Sequence, residues 1–130
     1  VFFFNKDLAK NFKFHRKQLM QLSSKMRFVS VQFEALLTNE LWLRNARHSN
    51  TMAQKLFKNI SEIPEIEIVW PVEANAIFAK VPPRLIEPLQ KEFFFYAFDP
   101  DQHIVRWMTS FDTQESDIER FVGSIKRILA

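Results

Sequence analysis

Pro64-Glu65-Ile66-Glu67-Ile68-Val69-Trp70-Pro71 is the stretch at which the hydrophobic period of the chain changes. Upstream, apolar residues recur at helical spacing. Here they alternate with glutamates, as on a half-buried strand, and Pro71 ends the run because proline cannot donate to a ladder. Downstream, Ala76 to Val81 reads as a second strand, and Pro82-Pro83 open a short helix through about Gln90, since proline suits a first helical turn. Phe93 to Phe98 gives a third strand, Asp99-Pro100-Asp101 a turn, and His103 to Thr109 a fourth strand. Asp112 with Glu115 three residues on has the form of a capping box. It precedes a helix with Ile118, Phe121, Val122, Ile125 and Leu129 on one stripe.

On the other side of the period change, a helix of about twenty residues carries Trp42, Ala46, Ala53, Leu56, Phe57 and Ile60 on one face. Thr38-Asn39 separates it from a helix capped by Ser23 or Ser24, whose stripe is Met26, Val29, Phe33, Leu36 and Leu37. Asp7 to Gln18 has helical composition without a breaker, and Val1 to Phe4 reads as a strand. From Asn39 onward the order is therefore α-β-β-α-β-β-α. Antiparallel strand pairs with helices on one face are its natural packing, so the expected fold is α+β with a sheet of about four strands. The expected division is a boundary segment over 1–38 and a compact domain over 39–130. Through about Gln21, self-association or disorder is expected.

Composition narrows the function. The 130 residues are 47% hydrophobic, enough for one core. Glycine occurs once, as Gly123, where average usage of roughly 7% would give about nine. A self-contained phosphate-cradling loop is thereby excluded, because such loops need backbone that approaches closely or takes positive φ. Absence of cysteine removes disulfides, thiolate zinc sites and thiol nucleophiles, and His15, His48 and His103 are too scattered for a ligand motif. Net charge is +3, compatible with an anionic ligand but not a mark of a nucleic-acid protein. No apolar run spans a membrane, and a soluble, cytoplasmic protein is expected.

Arg106 is the candidate functional residue. It interrupts the apolar run Ile104-Val105-Arg106-Trp107-Met108, and a guanidinium cannot shed its proton. Facing inward, it needs an anionic partner, either an internal carboxylate or a bound acid gripped by its planar fork. Facing outward, it merely snorkels.

Arg16-Lys17-Gln18, Ser24-Lys25-Met26-Arg27-Phe28, Glu73-Ala74-Asn75-Ala76-Ile77-Phe78 and Arg106-Trp107-Met108-Thr109-Ser110-Phe111-Asp112 together resemble, in order and spacing, the C-terminal part of the threonine aldolase group of fold-type I enzymes dependent on pyridoxal phosphate (PLP). The resemblance implies a lyase that cleaves β-hydroxy-α-amino acids such as threonine to glycine and an aldehyde, acting as a homo-oligomer, with no nucleic-acid or membrane partner. It places Arg106 at the substrate carboxylate, Lys17 and Arg27 near the cofactor phosphate, and Asn75 at a structural turn. The lysine, histidine and aspartate that hold PLP in the family have no counterpart here, so this piece alone is expected to be inactive and not to bind PLP stably. Where relatives have glycines before Met-Arg, this chain has Leu19-Met20-Gln21-Leu22-Ser23-Ser24. The competing reading is a non-catalytic anion-binding, nucleic-acid-binding or oligomerisation module using Lys6, Lys10, Lys13, Arg16, Lys17, Lys25 and Arg27.

Overall fold

The computed structural model describes residues 4–21 and 23–130. The strand expected at the start lies, but for Phe4, outside the described residues, and Phe4 is a fully exposed bend. The chain divides into two compact units, one ending at Leu41 and the other beginning at Trp42.

In the first unit, the helix expected over Asp7–Gln18 is broken into α1 (Lys6–Ala9) and α2 (Phe12–Gln18). Asn5 caps α1 through its side chain on the Asp7 N–H, 2.8 Å. Asn11 leaves the helical region at φ −105°, ψ 4°, and its carbonyl starts α2 by accepting from Phe14 and His15. The break is thus made by the backbone of Asn11, whose side chain makes no cap hydrogen bond. At the far end of α2 the Gln21 N–H returns to the Arg16 carbonyl and the Met20 N–H to the Lys17 carbonyl, at 2.9 and 3.1 Å. These two bonds make a Schellman ending with Met20 at φ 54°, the left-handed position that glycine favours. The third helix, α3 (Met26–Leu37), buries none of its stripe, and Phe28 and Val31 are exposed beside it. Ser23 caps only the turn before α3, on the Lys25 N–H. Asn39 and Glu40 then take positive φ and bend the chain.

The second unit is the expected α+β fold. Its elements are α4 (Leu41–Ile60), β1 (Glu67–Ile68), β2 (Ala76–Lys80), α5 (Pro83–Gln90), β3 (Tyr96–Asp99), β4 (Ile104–Met108) and α6 (Glu115–Leu129). The strands form one antiparallel sheet in the order β1-β2-β4-β3. Ile77 and Ala79 from β2 and Val105 and Trp107 from β4 pack into the core with Leu56 and Ile60 of α4, Leu85 and Leu89 of α5, and Ile118, Phe121, Val122, Ile125 and Leu129 of α6. The α6 stripe is buried as its period requires. On α4 the buried residues are Ser49, Met52, Ala53, Leu56 and Ile60, whereas Trp42 and Ala46 are exposed. Trp42 stands in the first turn of α4, two turns before Ser49 on the same face, and the buried Ser49 hydroxyl is satisfied by the Asn45 carbonyl at 2.8 Å.

Two local expectations shift. The cap of α6 is Gln114 with Asp117, not Asp112 with Glu115. Asp112 is drawn into its own turn, where it accepts from the Ser110 hydroxyl, while the Ser110 N–H donates to Thr113 Oγ1. Asn75 closes no turn. It clamps two strands, donating Nδ2–H to the Thr109 carbonyl at 2.7 Å while its own carbonyl accepts from the Thr109 N–H at 3.0 Å.

The end of α5 is tied to α6 by Glu92, whose carboxylate accepts from the Arg127 guanidinium and the Ser124 hydroxyl. Hydrogen bonding to Arg127 and then to Ser124 lowers its pKa. A carboxyl depressed in the folded state stabilises the fold above its unfolded pKa and loses that contribution as pH falls through its folded pKa. Urea midpoints of the native chain and Glu92→Gln will therefore differ at neutral pH and converge as pH falls through the lowered folded pKa of Glu92.

Met20→Gly will remove a left-handed penalty on the order of 1 kcal/mol. Circular dichroism of a peptide over residues 5–25 will show more helix in the glycine variant.

Candidate functional site

Successive residues of β4 point to opposite faces, so burial of Val105 and Trp107 sends Arg106 and Met108 to the face without helices. In the sheet register Arg106 lies between Phe78 of β2 and Tyr96 of β3. The surrounding surface is aromatic. Phe78 meets Trp70 at 4.8 Å and Phe98 at 4.9 Å between ring centroids, and Trp70 meets Phe98 at 5.8 Å, all edge to face. Phe94 and Tyr96 form a further edge-to-face pair at 5.1 Å. Phe98 is the extra residue of a β-bulge, since Ala97 pairs with Val105 and Asp99 with Ile104.

Arg106 is neither an inward arginine with an internal carboxylate nor one that simply snorkels. It is half-buried, with its Cζ 5.6 Å from the Tyr96 ring centroid. Its Nε is buried and has no hydrogen-bond partner, and the guanidinium makes no ion pair among the described residues. Planar stacking on an aromatic face suits this group, but it leaves the in-plane donors free for a planar acceptor.

Lys17 lies on α2 and Arg27 on α3, both exposed. Neither is in an ion pair among the described residues, and Arg27 has its guanidinium 4.9 Å from the Phe28 ring centroid. Both belong to the first unit and Arg106 to the second. The turn that lacks the family's glycines holds Met20 at positive φ, the backbone shape a glycine there would take freely. Among the histidines, His48 bonds the Thr113 carbonyl through Nε2 at 2.8 Å. No group of acidic and histidine side chains able to hold a metal occurs among the described residues.

The aromatic floor escaped a reading by residue type. A signal for it exists: Phe93-Phe94-Phe95-Tyr96-Ala97-Phe98 is apolar at both strand parities, the pattern of a strand meant to be covered on both faces. Yet Phe94, Tyr96 and Phe98 are 84%, 58% and 50% exposed.

Sequence and structure comparisons point one way. Over 131 aligned residues the chain is 37% identical to a low specificity L-threonine aldolase of Pseudomonas sp. (strain NCIMB 10558), an alignment covering all of this chain and 38% of the relative. The chain is threonine aldolase-like. The corresponding protein of Pseudomonas aeruginosa is 39% identical over 121 residues, 92% of this chain and 34% of the relative. The threonine aldolase-like chain thus spans under two fifths of the length of these curated relatives. A solved Leishmania major threonine aldolase superposes with a TM-score of 0.70 at 33% identity, over 77% of this chain and 30% of that one. An inhibitor-bound glycine decarboxylase (P-protein) of the glycine cleavage system shares the fold alone, with a TM-score of 0.57 at 18% identity over 65% of this chain and 21% of that one. No family model matches the chain. Among the described residues, no helix is long and apolar enough to cross a membrane.

An unpaired, half-buried guanidinium is a burden on the fold. Arg106→Met will leave urea stability unchanged or raise it by up to about 1 kcal/mol. A loss would mean that the contact with Tyr96 outweighs the cost of the unmet donor.

Proposed function

We propose that this chain is the C-terminal part of a PLP-dependent lyase that cleaves β-hydroxy-α-amino acids, threonine among them, to glycine and an aldehyde. In this reading Arg106 binds the substrate α-carboxylate. The observation that carries it is the guanidinium of Arg106, 5.6 Å from the Tyr96 ring centroid with Nε covered and no acidic partner among the described residues. A carboxylate accepts two parallel N–H bonds in the plane of the fork, which matches the donors left free. Identity to two threonine aldolases across nearly the whole chain supports this substrate class.

Lys17 and Arg27 suit a phosphate group by chemistry, being exposed cations without acidic partners, and are assigned to the cofactor phosphate in the longer protein. PLP, when bound, supplies an electron sink for the Cα as the Cα–Cβ bond breaks. This chain's own contribution is orientation. A carboxylate fixed by two bonds on a rigid central strand fixes the rotation of the substrate about its Cα, and so which bond faces the reacting group. The Phe78 and Tyr96 rings beside Arg106 lower the local dielectric and strengthen that grip. The uncovered α3 stripe and the bare sheet face supply apolar surface for the rest of the longer protein and for further copies of it, in keeping with a homo-oligomer.

The test is Arg106→Lys in the longer enzyme. Lysine keeps the charge and loses the fork, so kcat/KM for threonine will fall about tenfold to a hundredfold, the worth of one charge-assisted bond of about 1.5–3 kcal/mol. Cofactor absorbance will be unchanged, kcat will fall and KM will rise. Both constants staying near the native values in a folded variant would defeat the carboxylate assignment.

A further inference from the structure

A guanidinium that is to receive a substrate carboxylate cannot be held beforehand by a carboxylate of its own, which would occupy the same in-plane donors. No acidic side chain pairs with Arg106 among the described residues. A loose arginine is no better prepared, because a ligand that orders it must offset the lost rotamer freedom and binds more weakly. Whatever holds Arg106 in advance has to do so without using its N–H groups.

Tyr96 meets that condition. It is the cross-strand partner of Arg106 in the β3–β4 ladder, and the guanidinium carbon lies over its ring, 5.6 Å from the centroid. The negative face of an aromatic ring attracts a cation and leaves donors in the guanidinium plane to other acceptors. Phe94 packs against Tyr96 edge to face at 5.1 Å, so the ring is itself supported. Phe78, the partner of Arg106 on the other side, is engaged with Trp70 and Phe98, at 4.8 and 4.9 Å. Core packing does not account for Tyr96, which is 58% exposed on the sheet face without helices and lies outside the buried cluster.

We propose, on the carboxylate reading of Arg106, that Tyr96 is a positioning residue for substrate capture: its ring holds the guanidinium in place, so that the fork meets a carboxylate without first having to be ordered. Once bound, the carboxylate fixes the fork through its own two hydrogen bonds. Tyr96 therefore acts on binding and not on turnover. A low local dielectric alone would be supplied by any apolar side chain at this position, whereas holding the cation needs the ring.

The test is the kinetics of the longer enzyme on threonine. Tyr96→Leu keeps the apolar cover and removes the ring, so KM will rise about fivefold, the worth of a cation–π contact at a partly exposed site, while kcat stays within about twofold. Tyr96→Phe restores the ring and brings KM back to the native value. In an Arg106→Met background, where no cation is left to hold, Tyr96→Leu will change kcat/KM by less than about twofold. On the 130-residue chain, heteronuclear relaxation of the Arg106 Nε–H group will give a lower order parameter in Tyr96→Leu than in the native chain or Tyr96→Phe. If Arg106→Met alone leaves kcat/KM near the native value, the carboxylate reading fails and the capture role falls with it. If Arg106→Met lowers kcat/KM but Tyr96→Leu changes neither KM nor the order parameter, the positioning role alone is overturned. It is overturned equally if Tyr96→Phe behaves as Tyr96→Leu does, if the loss falls on kcat, or if Tyr96→Leu has its full effect without Arg106.

Discussion

Alternation along β4 is the constraint on which the rest of the second unit depends. Val105 and Trp107 fill the layer beneath α4, α5 and α6, and once they do, Arg106 has no freedom to face inward. A slip of one residue would put a guanidinium against Ile125 and Phe121 and expel an indole, so the core itself holds the register. Asn75 and Thr109 reinforce it where the strands end. The Thr109 hydroxyl donates to the Ser49 carbonyl of α4 at 2.7 Å while its backbone pairs with Asn75, tying sheet to helix at a buried position.

The same alternation sets the two polar anomalies of the fold on opposite sides of one strand. Arg106 carries an unmet Nε on the aromatic face, and its neighbour Trp107 an unmet Nε1 on the helix-covered side. Buried donors without acceptors are rare because each forfeits a water it cannot replace. Core packing explains the position of the rings but asks nothing of either nitrogen.

Much of the second unit was legible from residue pattern. The α6 stripe, the twenty-residue α4 and the order of four strands follow from period and from the prolines at 64, 71, 82 and 83, because those signals are local. Where along α4 the buried face begins was not legible: Trp42 and Ser49 share that face, but Trp42 stands in the first turn and is half exposed while Ser49, two turns on, is buried. Hydrophobicity alone would not place a serine in the core, and the hydroxyl bond to the Asn45 carbonyl is what satisfies it there. The cap of α6 moved to Gln114 for a similar reason: Asp112 had a nearer partner in Ser110. The break at Asn11 turned on one residue's backbone choice, which composition does not fix.

By itself, then, the sequence determined the class of fold and the threonine aldolase resemblance and singled out Arg106 within an apolar run, since each rests on residue type and spacing along the chain. Only the tertiary structure decided what surrounds that arginine. Phe78 and Tyr96 lie 28 and 10 residues away from it and become its neighbours only through strand pairing. An unpaired donor, likewise, is a property of everything that could have approached it in space and did not, and a linear pattern carries no record of that.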